Sequence, residues 1–318
     1  MVSITQLKYL LAVHQTQHFG RAAADCHVSQ PALSAQIQKA ESFLGITVFD
    51  RKATPVATTA HGLKVIEQAR AVLSAHASVM KLGLGVEGRV SGSFSLRVIP
   101  TLAPYVLPWF LRAFAARYPQ VDLSLYEITT DELIDALSHS RLDAALLSTP
   151  LQEASIQERV LFYDPFYLYA HRDEPVLENA EVDVTRLDPH KLWLLEDGHC
   201  LRTQVVNFCG MAQPRSNLGS VRFAAGSLET LVRLIDASEG YTLLPESHAR
   251  SLPARSRVRC LRPFANSTPT REVSLVHPRQ SWKGPILDAL QACIDHSVPR
   301  ALKRTDPAGV VMAIRPAG

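Results

Sequence analysis

The 318-residue chain is short of several things, and each shortage excludes a class of protein. It has no run of 18 apolar residues, so no membrane-spanning helix is expected, and no early apolar stretch suits a signal peptide. Cysteine is scarce. The five residues, Cys26, Cys200, Cys209, Cys260 and Cys293, are an odd number scattered over a long chain. That is not the framework of a secreted disulfide protein; it points to a reducing cytosol, where a disulfide is transient or sensory. A C-x-x-C motif, a Gly-rich phosphate loop, a metal-ligand cluster and a catalytic triad are all missing, so neither an enzyme nor a cofactor is expected. Charge of one sign is lacking too, since the net charge is only +3. What remains, 47% hydrophobic and 20% charged, is the composition of a soluble globular protein of two or three domains.

Against that background one stretch stands out. Residues 194–202 read Leu-Leu-Glu-Asp-Gly-His-Cys-Leu-Arg, and residues 207–209 read Asn-Phe-Cys. Asp197-Gly198 is a turn signal, which makes Cys200 the opening of a helix running through Val205, Val206 and Phe208. A helix N-terminus and a nearby cation both favour a thiolate, the reactive form. On a continuous helix Cys200 and Cys209 lie about 13 to 14 Å apart, on roughly opposite faces. A disulfide requires Cα atoms about 4.4 to 6.8 Å apart, so these two could bond only if the helix unwound. Closing such a loop restricts the unfolded chain by roughly 2.7 kcal/mol, and melting two helical turns costs a similar order. Three readings stay open on the residues alone. The pair is two buried thiols acting as small hydrophobes, or metal ligands together with His199, or a redox couple.

The first 58 residues read as three helices and a wing. Thr5 can cap a first helix carrying Leu7, Leu10, Leu11 and His14. A short alanine-rich helix follows around 21–26, with Cys26 on its inner face. Ser29 caps a third helix with Pro31 in its first turn, a buried face of Leu33, Ile37, Ala40 and Leu44, and an end at Gly45. This is the helix-turn-helix pattern. Its outward residues Gln30, Ser34, Gln36, Gln38 and Lys39 suit base edges and phosphates. Two extended runs around Thr54-Pro55 form a wing that presents Arg51 and Lys52 to a phosphate backbone. Residues 1–90 hold nine Lys or Arg against five Asp or Glu, so the positive excess sits here. From Thr59 one helix runs to about Leu84 with an apolar stripe (Leu63, Ile66, Ala69, Val72, Leu73, Val79) that needs a partner. Gly83, Gly85, Gly88 and Gly92 then mark a boundary.

Beyond it strands and helices alternate, which implies a parallel sheet. Strands are expected at 94–99, 121–126, 144–147, 166–170, 193–195 and 241–244, with a returning strand at 273–276. Helices are expected after Thr101, over 130–138 and over 227–237. Thr101 and Thr130 fall at carboxyl ends of strands, where ligands bind in open α/β sheets. The return suggests two lobes, one of about 91–163 with 269–302 and one of about 164–268. Residues 303–318 are expected to be a loosely held tail.

The chain resembles the LysR-type transcriptional regulators. In the first 90 residues the resemblance rests on Arg21-Ala22-Ala23, Val28-Ser29-Gln30-Pro31-Ala32-Leu33-Ser34, Glu41, Leu44-Gly45, Phe49, Arg51, Thr58 and Gly62. Ile99-Pro100-Thr101, Pro104-Tyr105, Leu107-Pro108, residues 195–202, Phe208-Cys209, residues 227–231 and Leu243-Leu244-Pro245 resemble its peroxide-sensing members. The resemblance implies an α/β effector domain of two Rossmann-like lobes, periplasmic-binding-protein-like, preceded by an all-α winged helix-turn-helix domain (1–58) and a long linker helix with hinge (59–90). It implies that Cys200 is the peroxidatic cysteine and Cys209 the resolving one. Thr101, Thr130, His199 and Arg202 would surround hydrogen peroxide and the thiol. Ser29, Gln30, Pro31, Ser34, Gln38, Arg51 and Lys52 would meet promoter double-stranded DNA. The implied partners are three further copies in a homotetramer (a dimer of dimers), RNA polymerase, and a glutaredoxin or thioredoxin as reductant. A regulator answering a small organic effector between the lobes is the alternative.

Overall fold

The structure is a computed structural model. It describes residues 1–83, 90–138, 142–151, 153, 155–210, 217–218, 221–222, 225–279, 281, 283–303, 307, 309–312 and 314. The glycines expected as a hinge at 85 and 88 lie outside the described residues.

The N-terminal unit comprises α1 (Ile4–Thr16), α2 (Phe19–Asp25), α3 (Gln30–Leu44), the two-residue strands β1 (Phe49–Asp50) and β2 (Ala57–Thr58), and the long α4 (Ala60–Gly83). Helix α1 starts two residues earlier than the Thr5 cap predicts, with Ser3 as its cap. Ser3 accepts the Gln6 N–H while the Gln6 side chain accepts the Ser3 N–H, a reciprocal capping box that Thr5 has no partner to make. Ser29 caps α3 as expected, and Gly45, at φ +65°, ends it. Leu10, Leu11, Leu33, Ile37, Ala40, Phe49 and Leu73 form one core. Leu44 departs from its expected buried face and is exposed, because the chain turns away at Gly45 directly after it. Cys26 is the half-buried C-cap of α2 and packs against this core. Strands β1 and β2 pair antiparallel with Phe49 opposite Thr58, which forms the wing. Gly62 lies against this hairpin. A Cβ there would sit 2.2 Å from the Val48 carbonyl oxygen, a backbone atom that cannot step aside. Gly62→Ala is therefore expected to cost the N-terminal unit about 1–3 kcal/mol, read as a lower urea midpoint.

The remainder runs β3 (Gly92–Val98), α5 (Ala103–Arg117), β4 (Val121–Glu127), α6 (Thr130–Ser138), β5 (Ala144–Thr149), β6 (Ile156–Ala170), α7 (Cys200–Cys209), β7 (Asn217–Leu218), β8 (Val221–Arg222), α8 (Leu228–Ala237), β9 (Tyr241–Pro245), α9 (Glu246–Ala249), α10 (Ala254–Cys260), β10 (Leu261–Arg262), β11 (Pro269–Pro278), α11 (Gly284–Ser297) and β12 (Val310–Val311). Strand β3 lies parallel to β4 and β5. The sheet is nevertheless mixed, not parallel as the alternation suggested. The long strands β6 and β11 run antiparallel to each other, and β6 also pairs antiparallel with β9 and β10. A strand that crosses from one core to another and a strand that comes back must run in opposite directions. Phe162 on β6 belongs to a core with Phe94, Phe110, Leu146, Leu275 and Leu290. Phe166, four residues on, belongs to a second core with Trp193, Leu243 and Ile235. Residues 193–195 are not a strand; the chain there makes only isolated bridges, from Leu192 to Tyr241 and from Leu195 to Ala225.

The C-terminal segment also departs from expectation. Its described residues are held, not loose: Val310 and Val311 pair parallel with Pro269 and Thr270 of β11, and Met312 and Ile314 are buried. Two paired residues are too short a strand for any periodicity to announce.

Candidate functional site

The sequence predicts a helix opening at Cys200, and α7 begins there. Gly198 adopts φ +92°, a left-handed conformation that aims the chain into the helix. His199 is the N-cap. The Cys200 N–H donates to Thr130 Oγ1 at 3.3 Å, and the Thr130 N–H donates to the Gly198 carbonyl at 3.2 Å. Thr130 is the first residue of α6, so the N-termini of α6 and α7 meet, and their positive ends favour an anion between them. Cys200 is buried, at 4% exposure, beneath a pocket of about 320 Å³. Thr130, Gly198, His199 and Thr203 line it, with Asp131, Ile134, Asp135 and Ile314.

His199 is buried, and burial holds its imidazole below the ordinary histidine range, partly offset by Glu196 at 4.0 Å. Burial therefore favours its neutral form over the cation. Arg202 does not line the pocket. Its Nε pairs with Asp197 at 2.8 Å and its Nη1 donates to the Leu195 carbonyl at 2.7 Å, which clamps the turn ahead of Cys200.

Thr101 is buried, but its partner is Arg271, whose Nη1 donates to Thr101 Oγ1 at 3.3 Å and whose Nη2 donates to its carbonyl at 3.2 Å. Arg271, which no local sequence pattern singles out, is wholly buried and paired with Asp164 at 2.9 Å. Ser247 donates from both N–H and Oγ to Asp164. The Tyr105 hydroxyl lies between Glu229 and His248 Nδ1 close by. This polar cluster ties α5, β6, α8, α9 and β11 together.

His248 is the titrating member of that cluster. Burial pushes its imidazole down to about 4, against the opposing field of Glu229. A depressed folded-state pKa means that the unfolded chain binds the extra proton. Its stability contribution is complete above pH 6.5 and is lost as pH falls toward 4. Lowering the pH from 7 to 4.5 should remove about 2.5 kcal/mol through this group alone. His248→Gln should flatten that part of the urea-midpoint profile. His199 and His277, also held down by burial, act with the same sign.

Cys209 sits at the other end of α7, half-buried against the second core beside Phe208, which packs edge-on to Phe264 at 5.3 Å. Burial raises its thiol to about 12. Both cysteines are free. They close opposite ends of one ten-residue helix, so they do not converge on a metal with His199. Among the described residues no group of three His, Cys, Asp or Glu is placed to hold a metal ion, and no helix is long and apolar enough to cross a membrane.

On the N-terminal unit Ser29, Gln30, Pro31, Gln38 and Lys52 are exposed and Ser34 half-exposed. Gln36, expected to face outward, is instead half-buried and accepts from Gln6 Nε2 at 3.1 Å. Arg51 stacks over the Phe19 ring, pairs with Glu41 at 3.0 Å and donates to Ser34 at 3.0 Å. Its guanidinium is thus held beside the start of α3. On α4, Leu63, Val72 and Val79 are exposed; Val72 and Val79, seven residues apart, share a face, while Leu63, nine residues before Val72, lies on the opposite one.

The chain matches the model of the bacterial regulatory helix-turn-helix protein, lysR family, at residues 4–63 and that of the LysR substrate binding domain at residues 87–299. It is 38% identical over 280 residues to the hydrogen peroxide-inducible genes activator of Pectobacterium carotovorum, covering 87% of this chain and 90% of the relative. It is 34% identical over 308 residues to the DNA-binding transcriptional dual regulator OxyR of Escherichia coli, covering 95% and 99%. Among solved structures it is similar to a full-length OxyR variant from Pseudomonas aeruginosa, with a TM-score of 0.76 at 30% identity over 93% of this chain and 98% of that one. A hydrogen-peroxide-bound OxyR variant from Corynebacterium glutamicum gives a TM-score of 0.58 at 28% identity, over 93% and 92%.

Proposed function

The chain belongs to the LysR family of DNA-binding transcriptional regulators, and from that premise we propose that it senses hydrogen peroxide through Cys200 and Cys209 and switches promoter binding to activate oxidative-stress defence genes. The observation that carries this is the placement of the two thiols at the two ends of α7, the first beneath a pocket where two helix N-termini meet.

The Cys200 thiolate attacks one peroxide oxygen, the O–O bond breaks, and hydroxide leaves, taking a proton to become water. Sulfur is oxidised to a sulfenic acid. The Thr130 hydroxyl and His199 border the space where peroxide would bind; Thr101 does not line it and is held by Arg271 instead. The Cys209 thiol then attacks the sulfenic sulfur, the S–O bond breaks, and a second water leaves with the disulfide formed. Burial of Cys209 withholds its thiolate until α7 opens, so the opening both shortens the distance and restores the nucleophile. A dithiol reductant such as glutaredoxin or thioredoxin returns the pair to thiols in the cytoplasm. The protein is a stoichiometric switch, not a turnover catalyst.

Ser29, Gln30, Pro31, Ser34 and Gln38 at the start and outer face of α3 read the major groove, while Arg51 and Lys52 contact phosphate. Lys52→Ala is expected to weaken operator binding uniformly and to lower the salt slope by about 1, whereas Gln30→Ala should cost about 1–3 kcal/mol and relax specificity. The exposed face of α4 carrying Val72 and Val79 pairs subunits, two dimers make the tetramer, and the DNA-bound assembly engages RNA polymerase.

Peptide mass mapping of alkylated protein before and after near-stoichiometric hydrogen peroxide, beside promoter binding by the same samples, tests the reading. A Cys200–Cys209 disulfide forming within seconds and changing promoter contacts is expected. Unchanged thiols would overturn it in favour of an organic effector between the lobes.

A further inference from the structure

The segment around Val310–Val311 lies outside the residues matched to the family model, which ends at 299. It is nevertheless built into the site. Gly309 passes so close to β11 that a Cβ there would lie 1.9 Å from the Thr268 carbonyl oxygen. The Val310 N–H donates to Thr268 at 3.1 Å and the Met312 N–H to Thr270 at 2.9 Å, fixing a parallel strand on β11. Met312 then buries its side chain in the second core, and Ile314, two residues on, is buried in the first, the core that contains Cys200. One short segment therefore crosses both cores. Ile314 forms part of the Cys200 pocket wall.

The crossing is latched to α7. Gln204 is wholly buried, and its Nε2 donates to the Met312 carbonyl at 3.1 Å. Gln204 follows Cys200 by four residues and so shares its face of the helix, one turn later. If α7 unwinds to bring Cys209 to Cys200, Gln204 must leave the Met312 carbonyl. The bond that holds the segment is one that the switch breaks.

We propose that this C-terminal segment is a strap over the sensing site, with Ile314 a specificity-determining residue that admits hydrogen peroxide to Cys200 and excludes bulkier alkyl hydroperoxides. The proposal rests on the reading of Cys200 as the peroxide-reactive thiol. Ile314 and Ile134 are the two branched apolar side chains in a pocket otherwise lined by polar residues, Cys200 and Gly198, and Ile314 occupies space that a tertiary alkyl group would need. The Gln204–Met312 bond keeps that wall in register with the helix while the helix is intact.

Two variants separate the strap from the fold. Ile314→Ala removes the wall alone. Gly309→Ala places a methyl group against the Thr268 backbone and detaches the strand without changing any residue of the pocket lining. Rates of Cys200 oxidation by hydrogen peroxide and by tert-butyl hydroperoxide, and of Cys200 alkylation by N-ethylmaleimide, are measured on the reduced full-length protein. Promoter binding by the reduced form serves as the folding control. Ile314→Ala should raise the tert-butyl hydroperoxide rate relative to that of hydrogen peroxide by about tenfold or more, the scale of lost methylenes in an apolar pocket. Both variants should speed alkylation. Alkylation rates and peroxide selectivity unchanged in both would overturn the strap. If wild-type Cys200 reacts with neither peroxide, the sensing reading fails, and the alkylation rates still decide whether the strap covers the thiol.

Discussion

Cys200→Ser is expected to abolish the peroxide response of promoter binding, a loss of at least about 100-fold in the peroxide needed for switching, with the reduced protein still folded and bound to its operator. A hydroxyl at this position has no accessible anion near neutral pH and cannot break an O–O bond. The pocket beneath α6 and α7 keeps its shape, since the contact that seats residue 200 is its backbone N–H on Thr130. Cys209→Ser has a different signature. Cys200 still reaches the sulfenic acid, so mass mapping shows an added oxygen at Cys200 and no disulfide, and the promoter response is lost or short-lived. A regulator driven by an organic effector would keep its response in both variants, so the pair of measurements separates the two readings.

Asp164→Ala should be the most destabilising single substitution of the polar cluster, costing about 3–5 kcal/mol, because it leaves the Arg271 guanidinium buried without its counter-charge. Both partners are wholly buried. Arg271 also carries Thr101 and Ser247, so the loss spreads to three elements. The urea midpoint measures it. Replacing both partners with apolar residues of similar volume, Asp164→Leu with Arg271→Met, should recover most of that stability. The double variant would still lose the hold on Thr101, and slower Cys200 oxidation in a stable protein would show that the ion pair positions that strand end for function.

The two features just discussed were unequally visible in the sequence. The helix opening at Cys200 was legible because its signals are local: a glycine turn before it and apolar residues at helical spacing within it. The same holds for α3, with its serine cap and closing glycine. The Asp164–Arg271 cluster was not legible, since its members lie 107 and 170 residues apart and meet only once β6 and β11 are laid side by side. Neither residue has a local pattern that sets it off from a surface charge. The strand at Val310–Val311 escaped for the opposite reason: two residues carry no period, and the tight approach at Gly309 is invisible until its neighbour is known. Arg202 shows a third kind of error. Its place two residues after Cys200 suggested support for the thiol, yet Asp197 and the Leu195 carbonyl, both local, hold it on the preceding turn. Residues 193–195 were apolar enough for a strand, but Leu192 and Leu195 have only single bridging neighbours.

The arrangement of two thiols on one helix also decides how dose is read. A helix can be bent by degrees, but a disulfide is either closed or open, and closing this one draws in a segment from about 13 Å to about 6 Å. No intermediate length is stable in the covalent sense. If this pair is the switch, each molecule answers peroxide with yes or no, and the cell's graded response is a count of molecules answering yes. Noise in that count falls as the number of copies rises, so abundance, not affinity, sets how finely the oxidant is resolved.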